Sequence, residues 1–286
     1  MNPPASFDDR VFAAAATLSE RGVPAPAALV FLGTGCGVLP GRLEAGARLP
    51  LSVCEDVPPA WSESLLHHGR LNGLPVWLLE DAPADTDGRQ PAWTEAFPIW
   101  LAAASGAVTL IHTAAGSALD LGPASLPVGT LGLVSDHLNL SGTTPLLGLG
   151  ETRLGPMFPD QTLLHDRRLR ASALAICGRL GLAAREVVAA CTRGPALETP
   201  AERRWYAHAG GAVSVQRLAT TLVAAAHAGL GTLSIVLVTH AGDGAVDIAR
   251  VAAVSSELAP AVDDLLWEIA RTVEAEALAD LERGPE

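Results

Sequence analysis

One pattern limits this chain more than any other. Short apolar runs alternate with stretches of helical period, and several runs stop at a glycine-, threonine- or histidine-bearing turn. Runs at 27–32, 49–54, 74–79, 108–112, 128–134, 186–191, 213–215 and 233–239 read as strands. The helical stretches begin at 7–20, where Ser6 offers a cap, and at 93–104 despite Pro98. They continue at 166–180, closed by Gly181, and at 199–209, with Pro200 in the first turn. The last two are 219–228, stopped by Gly229, and 260–282. With no repeat and no linker, this succession predicts one α/β domain over 1–286: a central mixed β-sheet flanked by helices. In such a fold, chemistry gathers where strands run out into loops.

Composition removes several function classes. Hydrophobic residues are 49% and charged residues 17%, so the chain buries a core without help from disulfides or metal. The net charge is −12 with no basic patch, so nucleic acid is not an expected partner. Asp8 and Asp9 stand where a secretory leader would carry positive charge, and no apolar run is long enough to span a bilayer. No membrane partner is therefore expected. Cys36, Cys54, Cys177 and Cys191 have no paired spacing and read as free thiols, which suits a cytoplasmic protein. The histidines show no zinc-ligand spacing, and Gly33-x-Gly35-x-Gly37 is not the dinucleotide fingerprint. His112 reads as structural. Residues 80–91 are an acidic surface loop. Residues 141–163 form a long aperiodic loop of the kind that covers a site or meets a partner.

The turns carry a resemblance. Gly33-Thr34-Gly35-Cys36-Gly37 resembles the first phosphate loop of the purine nucleoside phosphorylases, in the trimeric branch that includes methylthioadenosine phosphorylases. His68-Gly69-Arg70-Leu71-Asn72-Gly73 and Trp93-Thr94-Glu95-Ala96-Phe97-Pro98 are similar to the next two segments of that family. Thr113-Ala114-Ala115-Gly116-Ser117 resembles its Asn-Ala-Ala-Gly-Gly motif, and Ser135-Asp136-His137-Leu138-Asn139 its Asp-His-Ile-Asn signature. Gly194-Pro195-Ala196-Leu197-Glu198-Thr199 resembles Gly-Pro-Ser-Phe-Glu-Thr. The motifs keep the family's order. They imply a nucleoside phosphorylase-like fold, a purine nucleoside or base as ligand, phosphate as co-substrate, no metal or organic cofactor, and a homotrimer.

The resemblance also assigns residues. Thr34 and Ala115 fall on the phosphate, Glu198 on the N1 side of the purine, and His240 opposite N7 as the group assisting departure of the base; from the residues alone Glu198 equally reads as a helix-start carboxylate and His240 as a loop histidine bonded to Asp243. Leu197, Gln216 and Asp243 line the nucleoside site, and Leu154 stands where a neighbouring subunit's phenylalanine closes over the ribose. Asp136 and His137 support the site and the subunit contact.

Other positions depart from the family. Its Arg-x-His-x-Tyr-Glu-Gly loop should precede Trp93, yet counting back places Pro83, Asp85 and Asp87 at the arginine, histidine and tyrosine. A carboxylate beside a phosphate dianion costs roughly 1–4 kcal/mol per close pair. Arg89 and Arg217 are the candidate replacements, the second in place of a serine. Arg217 equally reads as filling the pocket, pairing with Asp85, or standing at the surface. The histidine near the 5′-hydroxyl, expected at 254–256, is Val254, Ser255 or Ser256, which suits a 5′-thio substrate. Three functions follow: a phosphorylase, with altered substrate; a phosphorylase-fold protein without phosphorolysis that binds a nucleoside or base or serves as a subunit; and a nucleoside hydrolase in which Asp85 or Asp87 orients water.

Overall fold

A computed structural model describes residues 6–33, 38–80, 90–119, 125–242 and 244–283. The chain opens with α1 (Phe7–Glu20), where Ser6 and Asp9 bond reciprocally and satisfy the first-turn N–H groups. β1 (Ala28–Leu32) follows, then β2 (Glu44–Pro50), the short α2 (Pro59–Ser62), β3 (Leu65–Leu71) and β4 (Leu74–Glu80). A 3₁₀ turn at Ala92–Ala96 leads into α3 (Phe97–Ala104), with Pro98 in the first turn, where its missing N–H costs nothing. The second half runs β5 (Thr109–Ala118), β6 (Leu131–Asn139), α4 (Arg167–Leu180), β7 (Ala184–Thr192), α5 (Pro200–His208), β8 (Val213–Gln216), α6 (Leu218–His227), β9 (Gly231–His240) and α7 (Ile248–Arg283).

All strands join one nine-stranded mixed sheet in the order β2-β3-β4-β1-β5-β8-β7-β6-β9. β9 also pairs with β5, so β5, β8, β7, β6 and β9 close into a ring, and β2, β3, β4 and β1 extend from it. Burial alternates along the central strands. In β1, Leu29 and Phe31 face a core that holds Trp61, Phe97 and Trp100 under α1, α3 and α6. Ala28, Val30 and Leu32 face an aliphatic core under α4 and α7. Period-two alternation thus feeds both layers of an α/β domain. The buried indoles are satisfied: Trp61 Nε1 donates to the Thr94 carbonyl (2.7 Å) and Trp100 Nε1 to His227 Nδ1 (2.9 Å).

Several expected boundaries move. Residues 51–53 form a 3₁₀ turn after β2, and the stretch ending in the Asn72-Gly73 turn is itself a strand, β3, paired with β4. β5 and β6 run beyond the apolar runs that announced them. Their polar ends stay in the ladder because ring closure supplies a neighbour, β9 for β5 and β7 for β6. The last helix begins at Ile248 and carries Pro260 inside it. Val254, Ala259, Val262, Leu265 and Leu266 are buried along one side, which outweighs the roughly 3 kcal/mol cost of an internal proline. Cys54, Cys177 and Cys191 are buried free thiols. Among the described residues no helix is long and apolar enough to cross a membrane.

Candidate active site

Where β5, β8 and β9 leave the ring they enclose a cavity of about 320 Å³. Its floor depends on close backbone approach. A Cβ on Gly116 would lie 2.5 Å from Val236 Cγ1 and 2.8 Å from the Ser214 carbonyl oxygen. A Cβ on Gly33 would lie 2.3 Å from the Thr113 carbonyl oxygen. Glycine at both positions is therefore a packing requirement. The Thr113 hydroxyl accepts the Gly33 N–H at 2.9 Å, which ties the exit of β1 to β5 beside the cavity.

One wall is polar. β5 contributes Ala115, Gly116 and Ser117, and β8 contributes Ser214 and Gln216, residues of one alternating face. Arg217 caps α6 with φ at 64°, in the left-handed region that a non-glycine residue enters at a cost of about 1–2 kcal/mol. Its N–H donates to the Thr192 carbonyl at 2.8 Å, which locks the turn, and the residue lines the cavity. Leu197 and Glu198 enter from the β7–α5 connection. The Thr192 hydroxyl donates to Glu198 Oε1 at 3.2 Å, and the Gln216 amide donates to the Ala196 carbonyl at 3.1 Å. Both contacts fix the Glu198 segment against β7 and β8. The opposite wall is apolar: Val246, Ile248, Val251 and Ala252, from the start of α7 and the residues before it.

The fold thus brings Ala115, Leu197, Glu198, Gln216 and Arg217 to one cavity. Thr34, Asp243 and Arg89 lie outside the described residues, as do Pro83, Asp85 and Asp87. His240 ends β9 next to the cavity-lining Thr239, and its Nε2 is buried with no hydrogen-bond partner among the described residues. Leu154 does not line the cavity of its own chain. Asp8 accepts the Thr152 hydroxyl and the Arg153 N–H, and Gly155 packs on the His227 carbonyl, so Leu154 is turned onto its own core. Phe158, on the same segment, is 89% exposed.

Sequence reasoning missed part of the lining. His112 is buried and lines the cavity from within β5. Ser214 and Thr239 were hidden in apolar runs, although the alternation of Ser214 and Gln216 with Val213 and Val215 is a period-two signal. Val254 and Ser255 are buried and do not line the cavity; Ile248, Val251 and Ala252 do. No phenylalanine, tyrosine or tryptophan lines it among the described residues.

Residues 29–271 match the phosphorylase superfamily. The chain is 31% identical to purine nucleoside phosphorylase 1 of Geobacillus stearothermophilus over 237 residues, covering 82% of this chain and 85% of that one. Against purine nucleoside phosphorylase 1 of Bacillus subtilis (strain 168) the identity is 28%, over 84% and 88% of the two chains. The crystal structure of schistosoma purine nucleoside phosphorylase in complex with hypoxanthine aligns with a TM-score of 0.82, covering 93% of this chain and 98% of that one. At 23% identity, that is a likeness of fold.

Proposed function

This chain belongs to the phosphorylase superfamily, and on that premise we propose that its cavity cleaves a purine nucleoside with phosphate to the free base and a pentose 1-phosphate. The observation that carries the reading is the meeting of Glu198, Gln216, Arg217 and Ala115 in the lining of one cavity. In the reaction the C1′–N9 bond breaks and its electron pair passes to the purine. A phosphate oxygen forms the new bond to C1′, and a proton reaches the base. Glu198 accepts from the N1 side of the purine, and His240 supplies the donor opposite N7. Arg217, with the Ala115 N–H, holds the phosphate; Thr34 and Arg89 complete that side. Leu197, Gln216 and Asp243 orient the nucleoside. A guanidinium fork matches two phosphate oxygens, which gives a physical reason for an arginine in a strained turn.

The apolar wall sets the finer substrate class. Ile248, Val251 and Ala252 offer no hydrogen bond to a 5′-hydroxyl. An apolar 5′ substituent such as methylthio fits that wall, and the resemblance places the 5′ end beside this helix. The working unit is a homotrimer. Support comes from the exposed Leu147, Met157, Phe158 and Leu163 on one connecting segment, a group of apolar side chains that a neighbouring copy would cover. With Leu154 turned inward, Phe158 of the neighbour is the aromatic residue for the ribose.

The test is base release from inosine, guanosine, adenosine and 5′-methylthioadenosine, with and without phosphate. Release that requires phosphate and is lost in Arg217→Ala supports the reading. Release without phosphate selects hydrolysis instead. No release by folded, assembled protein leaves binding or assembly as its role.

A further inference from the structure

Away from the cavity, the fold builds a second polar cluster from residues far apart in sequence. Asp136 and His137 lie in β6, and His165 lies just before α4, where it bridges to Thr232 at the base of β9. None of the three lines the cavity. The β6–β7 register shifts between Val134 and Asp136, so an extra residue bends the strand there. His137 Nδ1 lies 3.1 Å from His165 Nε2, with the rings at 69°. One ligand atom from each of the three residues lies within 4.8 Å of the others.

We propose that Asp136, His137 and His165 bind a divalent cation of the zinc type, clamping β6 to the segment that enters α4. Two adjacent ligands of an ion with bonds of about 2.0–2.1 Å stand about 2.9–3.4 Å apart, so the spacing of the two nitrogens suits shared coordination. Two imidazoles and one carboxylate are a borderline donor set, which favours zinc, cobalt or nickel over magnesium or calcium. Asp136 is exposed and its Oδ1 accepts the His137 backbone N–H at 2.8 Å, which holds the carboxylate beside that imidazole, while His165 is 8% exposed. The nearest cation, Arg170, donates to the His165 carbonyl and pairs with Glu186 at 3.0 Å, which offsets its charge.

The same geometry sets the strength. His165 Nδ1 is buried with no partner among the described residues, so no second contact holds the ring from behind. Such contacts are worth about 10–100-fold in metal affinity. Binding is therefore weaker than at a site whose imidazoles are held from behind. The consequence is mechanical: His137 and His165 bracket residues 141–163, and an ion between them pins both ends of that long connection.

The experiment uses the full chain, stripped with chelator and desalted, and titrated with zinc by calorimetry and with cobalt by visible absorption. One zinc per chain, cobalt d–d bands, and a rise of a few degrees in Tm on adding zinc are expected. Asp136→Asn and His137→Ala, at exposed and half-buried positions, should weaken binding at least tenfold and remove the Tm shift. His165→Ala should do the same if it folds, and the other two variants decide the matter if it does not. Absence of cobalt bands, zinc binding weaker than about 1 mM, or binding unchanged in both variants would overturn the site and leave a simple histidine–histidine hydrogen bond.

Discussion

The two walls of the cavity come from different kinds of structure. The polar wall is the end of a closed ring of strands: Gly116 and Ser214 touch across it, and Arg217 sits in a turn locked to Thr192. The apolar wall is the beginning of one long helix, α7, whose first turns are largely exposed. A ring held on every side can keep donors where charge develops. A helix end changes its side chains without disturbing that frame. The contrast assigns chemistry to the ring and substrate choice to the helix, and each prediction below strains that division.

Arg217→Ala makes the largest break. Loss of a preorganised charge contact costs about 3–4 kcal/mol in the transition state, so phosphate-dependent kcat/KM should fall about 10²–10³-fold. Alanine keeps the left-handed turn no worse than arginine, so the fold should remain intact. Glu198→Ala comes next, with a fall of about 10²-fold in steady-state kinetics and little change in phosphate KM. Phe158→Ala should lower kcat/KM about tenfold or more while leaving the monomer's stability intact. Leu154→Ala should instead destabilise the fold by about 1–3 kcal/mol in denaturant unfolding, because that side chain packs inward.

A smaller change sharpens the substrate half of the comparison. Val251→His places a donor in the apolar wall. It should shift the ratio of kcat/KM for 5′-methylthioadenosine over adenosine toward adenosine by about 10-fold, the scale of one apolar contact. The helix also carries a pH signature remote from the chemistry. Asp263 on α7 is buried, and burial raises its carboxyl to about 6. A folded-state value above the unfolded one means the native chain binds the extra proton, so this group's effect on stability worsens as pH rises from about 4 to 6 and is flat above. Asp263→Asn should raise stability at pH 7 by about 1–3 kcal/mol and remove that part of the pH dependence. His227 acts with the opposite sign. Burial lowers it, and its Nδ1 accepts from Trp100, so its contribution is lost as pH falls below 6.5.

What could be read from the sequence was local or repeated. The bounds of α1 and its serine cap follow from four or five neighbouring residues, and the α/β class follows from alternation sustained over the chain. Gly116, Glu198 and Arg217 stood in motifs, and the fold brings them together at one cavity. What could not be read depends on closure. The polar ends of β5 and β6 look like loops until β9 and β7 pair with them. Leu154 stands at a family position by counting, but Asp8 and His227, from two distant places, decide which way it points. His137 and His165 have no motif spacing, and only the path of the connection between them brings their nitrogens to 3.1 Å.

The most direct measurement is phosphorus NMR of the folded protein with a purine nucleoside and inorganic phosphate. A pentose 1-phosphate resonance that grows in step with free base, and is absent with Arg217→Ala, is the predicted result. Free base accumulating while phosphate stays unchanged, or no base from any purine nucleoside, would contradict the assignment of phosphorolysis to this cavity.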